Sequence, residues 1–146
     1  MTRREIAMKI AWSYLGTPYI WGGDDPEGFD CSGFVVEVLK SVGVLPRKGD
    51  WTAETLFHHL NELKCIIWTY EVARVEGSLV FFYNKTQTAF VHVEIYVGKG
   101  LSLGASGGGS HVTNRKAAMD YNAFIKVRPC ESDKRTKIIV DPFTAS

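Results

Sequence analysis

The stretch WGGDDPEGFDCSG, Trp21 to Gly33, decides how this chain is read. Four glycines, one proline and four acidic residues surround a single cysteine, Cys31. Glycine and proline at that density mark a turn-rich loop. The loop begins near Gly16 and ends where Phe34, Val35, Val38 and Leu39 start an apolar stripe at helical spacing, which stops at Gly43. A helix therefore starts near Asp30 to Ser32, with Cys31 in its first turn. A thiol there meets the positive end of the helix dipole and unpaired N–H groups, and both favour the thiolate. The same N–H groups suit the oxyanion of a tetrahedral intermediate, so one placement serves two parts of an acyl transfer. Taken alone, a cysteine at a helix start is more often a small buried residue.

Outward from this stretch the chain divides in two. Toward the amino terminus, Ile6, Ile10 and Tyr14 recur at helical spacing beside Ala7 and Ala11, which predicts an amphipathic helix packed on a core. Lys9 splits that apolar run and no small-residue cleavage site follows, so it does not read as a secretory signal. Thr52 to Leu63 predicts a further helix, with Thr52 as N-cap and Leu56, Leu60 and Leu63 on one side. From Ile66 onward β-branched and aromatic residues recur between glycines, at 66–70, 78–83, 90–97, 101–105, 124–128 and 137–140. Helices followed by meandering strands predict a single α+β domain over residues 1–146, its N-terminal helices packed on an antiparallel sheet.

Composition narrows the function. The 146 residues carry 17 Lys and Arg against 16 Asp and Glu, a formal charge of +1. Nucleic-acid partners usually meet a strongly basic face, and none is evident here. No apolar run reaches the ~18 residues of a membrane span, so the expectation is no membrane partner and a cytoplasmic site of synthesis. Cys31, Cys65 and Cys130 show no CxxC pairing and no histidines at finger spacing, which argues against a disulfide framework or metal site. No phosphate loop joins a strand to a helix. No cofactor is expected.

The segment resembles the catalytic region of the NlpC/P60 family of papain-like cysteine peptidases. PYIWGG at Pro18 to Gly23 and FDCSGF at Phe29 to Phe34 match its pattern; EGSLVFF at Glu76 to Phe82 and VHVEIYVGKG at Val91 to Gly100 resemble its later strands, in the same order. The resemblance implies a papain-like NlpC/P60 fold, Cys31 as nucleophile and His92 as general base. It further implies that Tyr19, Asp30 and Ser32 line the groove and help hold a substrate amine, although packing for Tyr19 and helix capping for Asp30 and Ser32 are the plainer roles. The implied substrate is a peptidoglycan stem peptide, cut at γ-D-glutamyl to diamino-acid linkages. With no secretory signal read in the sequence, the enzyme is expected to reach it through lysis, a phage particle or an export route, or to act on internalised muropeptides. Two other readings share the fold: a binding or assembly module that has lost part of its triad, and a thiol-dependent amidase or acyltransferase on another substrate.

One departure is informative. The family's third polar residue, usually His, lies twelve positions after the catalytic His, and here that position is Gly104. If 91–97 and 101–105 form a hairpin with Val97 opposite Leu101, Glu94 lies opposite Gly104 and shares a face with His92. Glu94 is then the candidate third catalytic residue, with His111, a water or a backbone carbonyl as alternatives. Ser78 stands where the family usually has Asp. The tail from Glu131 onward, a charged turn and one extra strand candidate, is expected to serve packing or oligomer contacts.

Overall fold

The computed structural model describes residues 1–25 and 28–145; Pro26 and Glu27 of the acidic loop lie outside the described residues. Helix α1 (Arg3–Ser13) opens with a capping box, Thr2 Oγ1 accepting from Glu5 N at 3.1 Å and the Glu5 carboxylate accepting from Thr2 N at 3.3 Å. It buries Ala7 and Ala11, with Ile10 and Tyr14 half-buried against the core, whereas Ile6 faces outward. The packing stripe is therefore centred on the alanines, whose small side chains let α1 lie close to the next helix.

The loop then turns back on itself through a pair of two-residue strands, β1 (Asp24–Asp25) and β2 (Gly28–Phe29). Helix α2 (Cys31–Ser41) follows at once and buries Phe34, Val35, Val38 and Leu39, the stripe visible in the sequence. Helix α3 (Ala53–Glu62) is capped by Thr52 and buries Leu56 and Leu60. A short fourth helix, α4 (Arg115–Asp120), was not expected, since Arg-Lys-Ala-Ala-Met-Asp carries no apolar stripe; the Asn114 side chain caps it.

All six expected strands are present, with ends displaced by one residue at most: β3 (Ile66–Thr69), β4 (Leu79–Tyr83), β5 (Phe90–Gly98), β6 (Leu101–Ser106), β7 (Phe124–Arg128) and β8 (Lys137–Asp141). They form one antiparallel sheet in the order β3-β8-β4-β5-β6-β7. Strand β8, from the tail assigned to packing or oligomer contacts, fills the gap between β3 and β4.

Alternation divides the sheet into two faces. Leu79, Phe81, Val93, Ile95, Leu103, Ala105 and Ile125 join the main core with the helices, while Val80, Phe82 and Tyr96 join Tyr70, Cys130 and Ile139 in a smaller cluster. The β5–β6 turn differs from the expected hairpin. Gly98, not Val97, pairs with Leu101 through a bulge, because Gly98, Lys99 and Gly100 all adopt positive φ. Before the bulge Tyr96 pairs with Ser102 and Ile95 with Leu103. The phase that sets Glu94 against Gly104 is thus retained.

Candidate active site

The site begins with the path of the acidic loop. Phe29 N donates to Pro18 O at 3.0 Å and Ile20 N to Phe29 O at 3.1 Å, so the outgoing and returning strands of the loop lie side by side. Asp30 N then donates to Gly23 O at 2.9 Å, and the Asp30 carboxylate accepts from Gly33 N at 2.7 Å. Any side chain at position 33 would run into the Gly23 carbonyl, so glycine permits this close approach of loop and helix. Together these contacts place Cys31 at the tip of α2, half-buried, on the wall of a cleft of about 640 Å³.

The opposite wall contains Phe90, Val91 and His92 at the start of β5. By alternation His92 belongs to the sheet face opposite Val93. A β-bulge sets Phe82 against His92 and Tyr83 against Phe90 at this end of the strand, and the imidazole meets the thiol there, hydrogen-bonded to Cys31. Its other ring nitrogen, Nε2, lies 2.7 Å from Glu94 Oε2, which leaves Nδ1 for Cys31. Burial pulls the His92 pKa down, but hydrogen bonds and charge from Cys31 and Glu94 outweigh it and raise the value from 6.5 to about 9.

Glu94 is fully buried beneath this ring. A Cβ added to Gly104 would stand 2.5 Å from Glu94 Cγ and 3.0 Å from Oε2, so the carboxylate fills the space over the glycine. Its oxygens accept from Ser102 Oγ at 2.6 Å, Arg128 Nε at 2.8 Å and Arg128 Nη2 at 3.2 Å. Burial raises the Glu94 pKa, yet His92 and Arg128 together hold it at about 2. A buried carboxylate with this many donors stays ionised and fixed in place.

The substrate-side candidates gather at the other end of the thiol. Tyr19, Asp30 and Ser32 all line the cleft, with Ser32 Oγ 3.4 Å from Asp30 Oδ1. Tyr19 is buried, and its pKa is pushed up to about 12 by burial and by the negative charges of Cys31 and Asp30. His111 is not part of this group; its ring packs on Tyr121 at 4.4 Å and it is exposed. Cys65 and Cys130 are buried free thiols. Ser78, in place of the family's Asp, is buried with no hydrogen-bond partner for its Oγ among the described residues.

Sequence reasoning did not single out Ser102, Arg128, Asp133 or Arg135. Ser102 sits two positions from Gly104 on the same face, which alternation reveals, and Arg128 is its partner in β7. Asp133 accepts from Arg128 Nη2 at 3.1 Å and from Arg135 Nη2 at 2.7 Å. Those hydrogen bonds, Arg135's first, hold the Asp133 pKa well below the usual carboxylate range.

The sequence profile of the NlpC/P60 family matches residues 16–128. The chain belongs to that family. It is 36% identical over 116 residues to a bifunctional muramidase/DL-endopeptidase, CwlT, of Bacillus subtilis strain 168, covering 77% of this chain and 32% of that protein. A γ-D-glutamyl-L-lysine dipeptidyl-peptidase of the same strain is 38% identical over 93 residues, 62% of this chain and 28% of its own length. The chain thus spans about a third of these relatives. The fold is shared with RipD of Mycobacterium tuberculosis, a non-catalytic NlpC/p60 domain protein adapted to peptidoglycan binding, with a TM-score of 0.66 and 18% identity over 96% of this chain and 97% of that one. Other NlpC/P60 relatives are named endopeptidases and peptidoglycan hydrolases.

Proposed function

We propose that this NlpC/P60 domain is a cysteine peptidase acting on peptidoglycan stem peptides, with γ-D-glutamyl to diamino-acid bonds as its target. The observation that carries this reading is the line Cys31–His92–Glu94, in which the place vacated at Gly104 is filled by a buried carboxylate held to the ring at 2.7 Å. A domain retained for binding alone has no use for an ionised, fully buried acid behind its histidine, because such a group is costly to bury. The named activities of the two Bacillus relatives supply the substrate class.

In the proposed mechanism the Cys31 thiolate attacks the scissile carbonyl carbon while His92 carries the proton. First-turn N–H groups of α2 receive the oxyanion. His92 then donates its proton to the leaving amine, the C–N bond breaks, and a thioester joins the acyl half to Sγ. Water enters, gives its proton to His92 and attacks the thioester, releasing the carboxylate and restoring the thiol–imidazole pair. Glu94 keeps the ring in one orientation and stabilises the imidazolium, the part played by the acid in a serine triad. Tyr19, Asp30 and Ser32 bind the amino end of the acyl half.

The test is incubation with defined muropeptides and identification of the new termini by mass spectrometry. A new γ-D-glutamyl carboxylate together with a freed diamino-acid amine supports the proposal. Intact muropeptides with the wild-type protein, or unchanged cleavage by Cys31→Ala, overturn it.

A further inference from the structure

Arg135 is the only arginine or lysine among the described residues lining the cleft, and Asp30 is the only carboxylate. The two belong to different parts of the fold. Asp30 caps α2 beside the nucleophile, whereas Arg135 lies beyond residue 128, where the match to the family profile ends. Arg135 shares both this cleft and the Phe82 ring with His92, which would protonate the leaving group. Its guanidinium carbon sits 4.5 Å from the centre of the Phe82 ring, and the His92 ring centre is 5.4 Å from the same point.

The guanidinium is held along one edge. Nε donates to Asp133 Oδ1 at 3.1 Å and Nη2 to Asp133 Oδ2 at 2.7 Å, a bidentate grip that fixes the plane of the group. Asp133 is itself anchored by Arg128, which also holds Glu94. Five N–H donors belong to an arginine and this grip uses two, leaving the Nη1/Nη2 end free to pair with a second carboxylate. The side chain remains 40% exposed, so that end is reachable from solvent.

We propose that Arg135 is a specificity residue that reads a carboxylate on the leaving amino acid of the substrate. The inference rests on the peptidase reading above, since it takes the His92 side of the scissile bond as the leaving side. The cleft is then bipolar, an acid for the substrate amine at one end and a cation for a carboxylate at the other. Its cation comes from a segment outside the family match, so it distinguishes this chain's substrate from that of a relative with another tail.

The experiment compares two tripeptides, L-Ala-γ-D-Glu-X, in which X is a diamino dicarboxylic acid with its carboxylates either free or all converted to carboxamides. Binding is measured by calorimetry to Cys31→Ala and to Cys31→Ala/Arg135→Gln, and turnover of the same peptides with the wild-type domain. With Arg135 present the acid form is expected to bind about tenfold more tightly than the amide; with Arg135→Gln the two bind within about threefold, and Arg135→Lys retains part of the preference. The ratio cancels any general loss of fit in the variant. Equal binding of acid and amide to Cys31→Ala overturns the inference, and if the wild type still cuts both, the peptidase reading survives it. Preferred binding of the acid without cleavage by the wild type leaves the carboxylate site standing and removes the peptidase. Absence of binding by either peptide overturns both.

Discussion

Replacing Glu94 by Gln keeps the shape of the side chain and removes its charge, which separates orientation from electrostatics at the centre of the proposed mechanism. His92 is held at about 9 instead of 6.5, a difference worth roughly 3 kcal/mol, and burial opposes it. Cys31 and Glu94 supply the favourable part together, so removing the carboxylate's charge lowers the His92 pKa. The amide also offers an N–H at one of the two oxygens, so either the His92 and Arg128 Nε bonds at Oε2 or the Arg128 Nη2 bond at Oε1 is lost. Loss of imidazolium stabilisation and of ring orientation together are expected to lower kcat/KM by about 10²-fold, near 3 kcal/mol in the barrier. The alkaline limb of the pH–rate profile should move toward acid by about one unit, because the imidazolium then gives up its proton more easily. Arg128 retains Asp133 as its charged partner, and breaking its buried pair with Glu94 costs about 3 kcal/mol of stability. Rates are therefore compared well below the variant's melting temperature, with circular dichroism to establish that it is folded. A folded Glu94→Gln whose kcat/KM lies within threefold of wild type, with its alkaline limb in place, would refute this account of the third residue.

Other outcomes follow from the same geometry. Stability measured by denaturant unfolding should be greatest between about pH 4.5 and 6.5: the Glu94 contribution is lost as pH falls from 4.5 through about 2, and that of His92 as pH rises from 6.5 through about 9. Gly104→Ala, with its methyl 2.5 Å from Glu94 Cγ, should cost about 1–3 kcal/mol in a thermal melt and depress turnover by displacing the acid. The pair Glu94→Gly with Gly104→His should regain part of the turnover missing from Glu94→Gly alone, and no gain would mean that the imidazole cannot replace the acid from this strand. Iodoacetamide near neutral pH should label half-buried Cys31 well before buried Cys65 and Cys130, as read by peptide mass spectrometry; equal labelling in the folded protein would argue against an activated nucleophile.

The parts of this molecule legible in its sequence are those set by short-range rules. Period-two alternation and glycine punctuation locate the six strands, and Thr52 and Asp30 announce their helices because a side-chain oxygen before an apolar stripe has one favourable use. The Glu94–Gly104 opposition was legible because it depends on a hairpin whose phase survives a bulge. Arg128 was not. Its pairing with Ser102 is set across a connection that contains α4, and no local pattern fixes a register over that distance. Asp133 and Arg135 lie in a charged turn that reads as ordinary solvated surface until Arg128 gives it a partner. The pairing of His92 with Cys31 came from the family resemblance, whereas the bulge that sets His92 at the end of its strand had no signal in the sequence.

The position of β8 also bears on how the protein comes into being. Strands β3 and β4 leave a slot between them that β8 alone fills, and β8 is translated after every other strand of the sheet. Until it leaves the ribosome, β3 has no neighbour and the turn carrying Asp133 and Arg135 has no anchor on its far side. Pairing Ile66 with Asp141 closes about half of the chain in one contact, a non-local step that is slow relative to hairpins. A nascent chain can thus form the β4–β5–β6–β7 meander, with Ser102 and Arg128 already on Glu94, and still lack the strand that closes the sheet beyond the Asp133 turn. The sheet is therefore completed in one step, by the insertion of a strand made after its two neighbours.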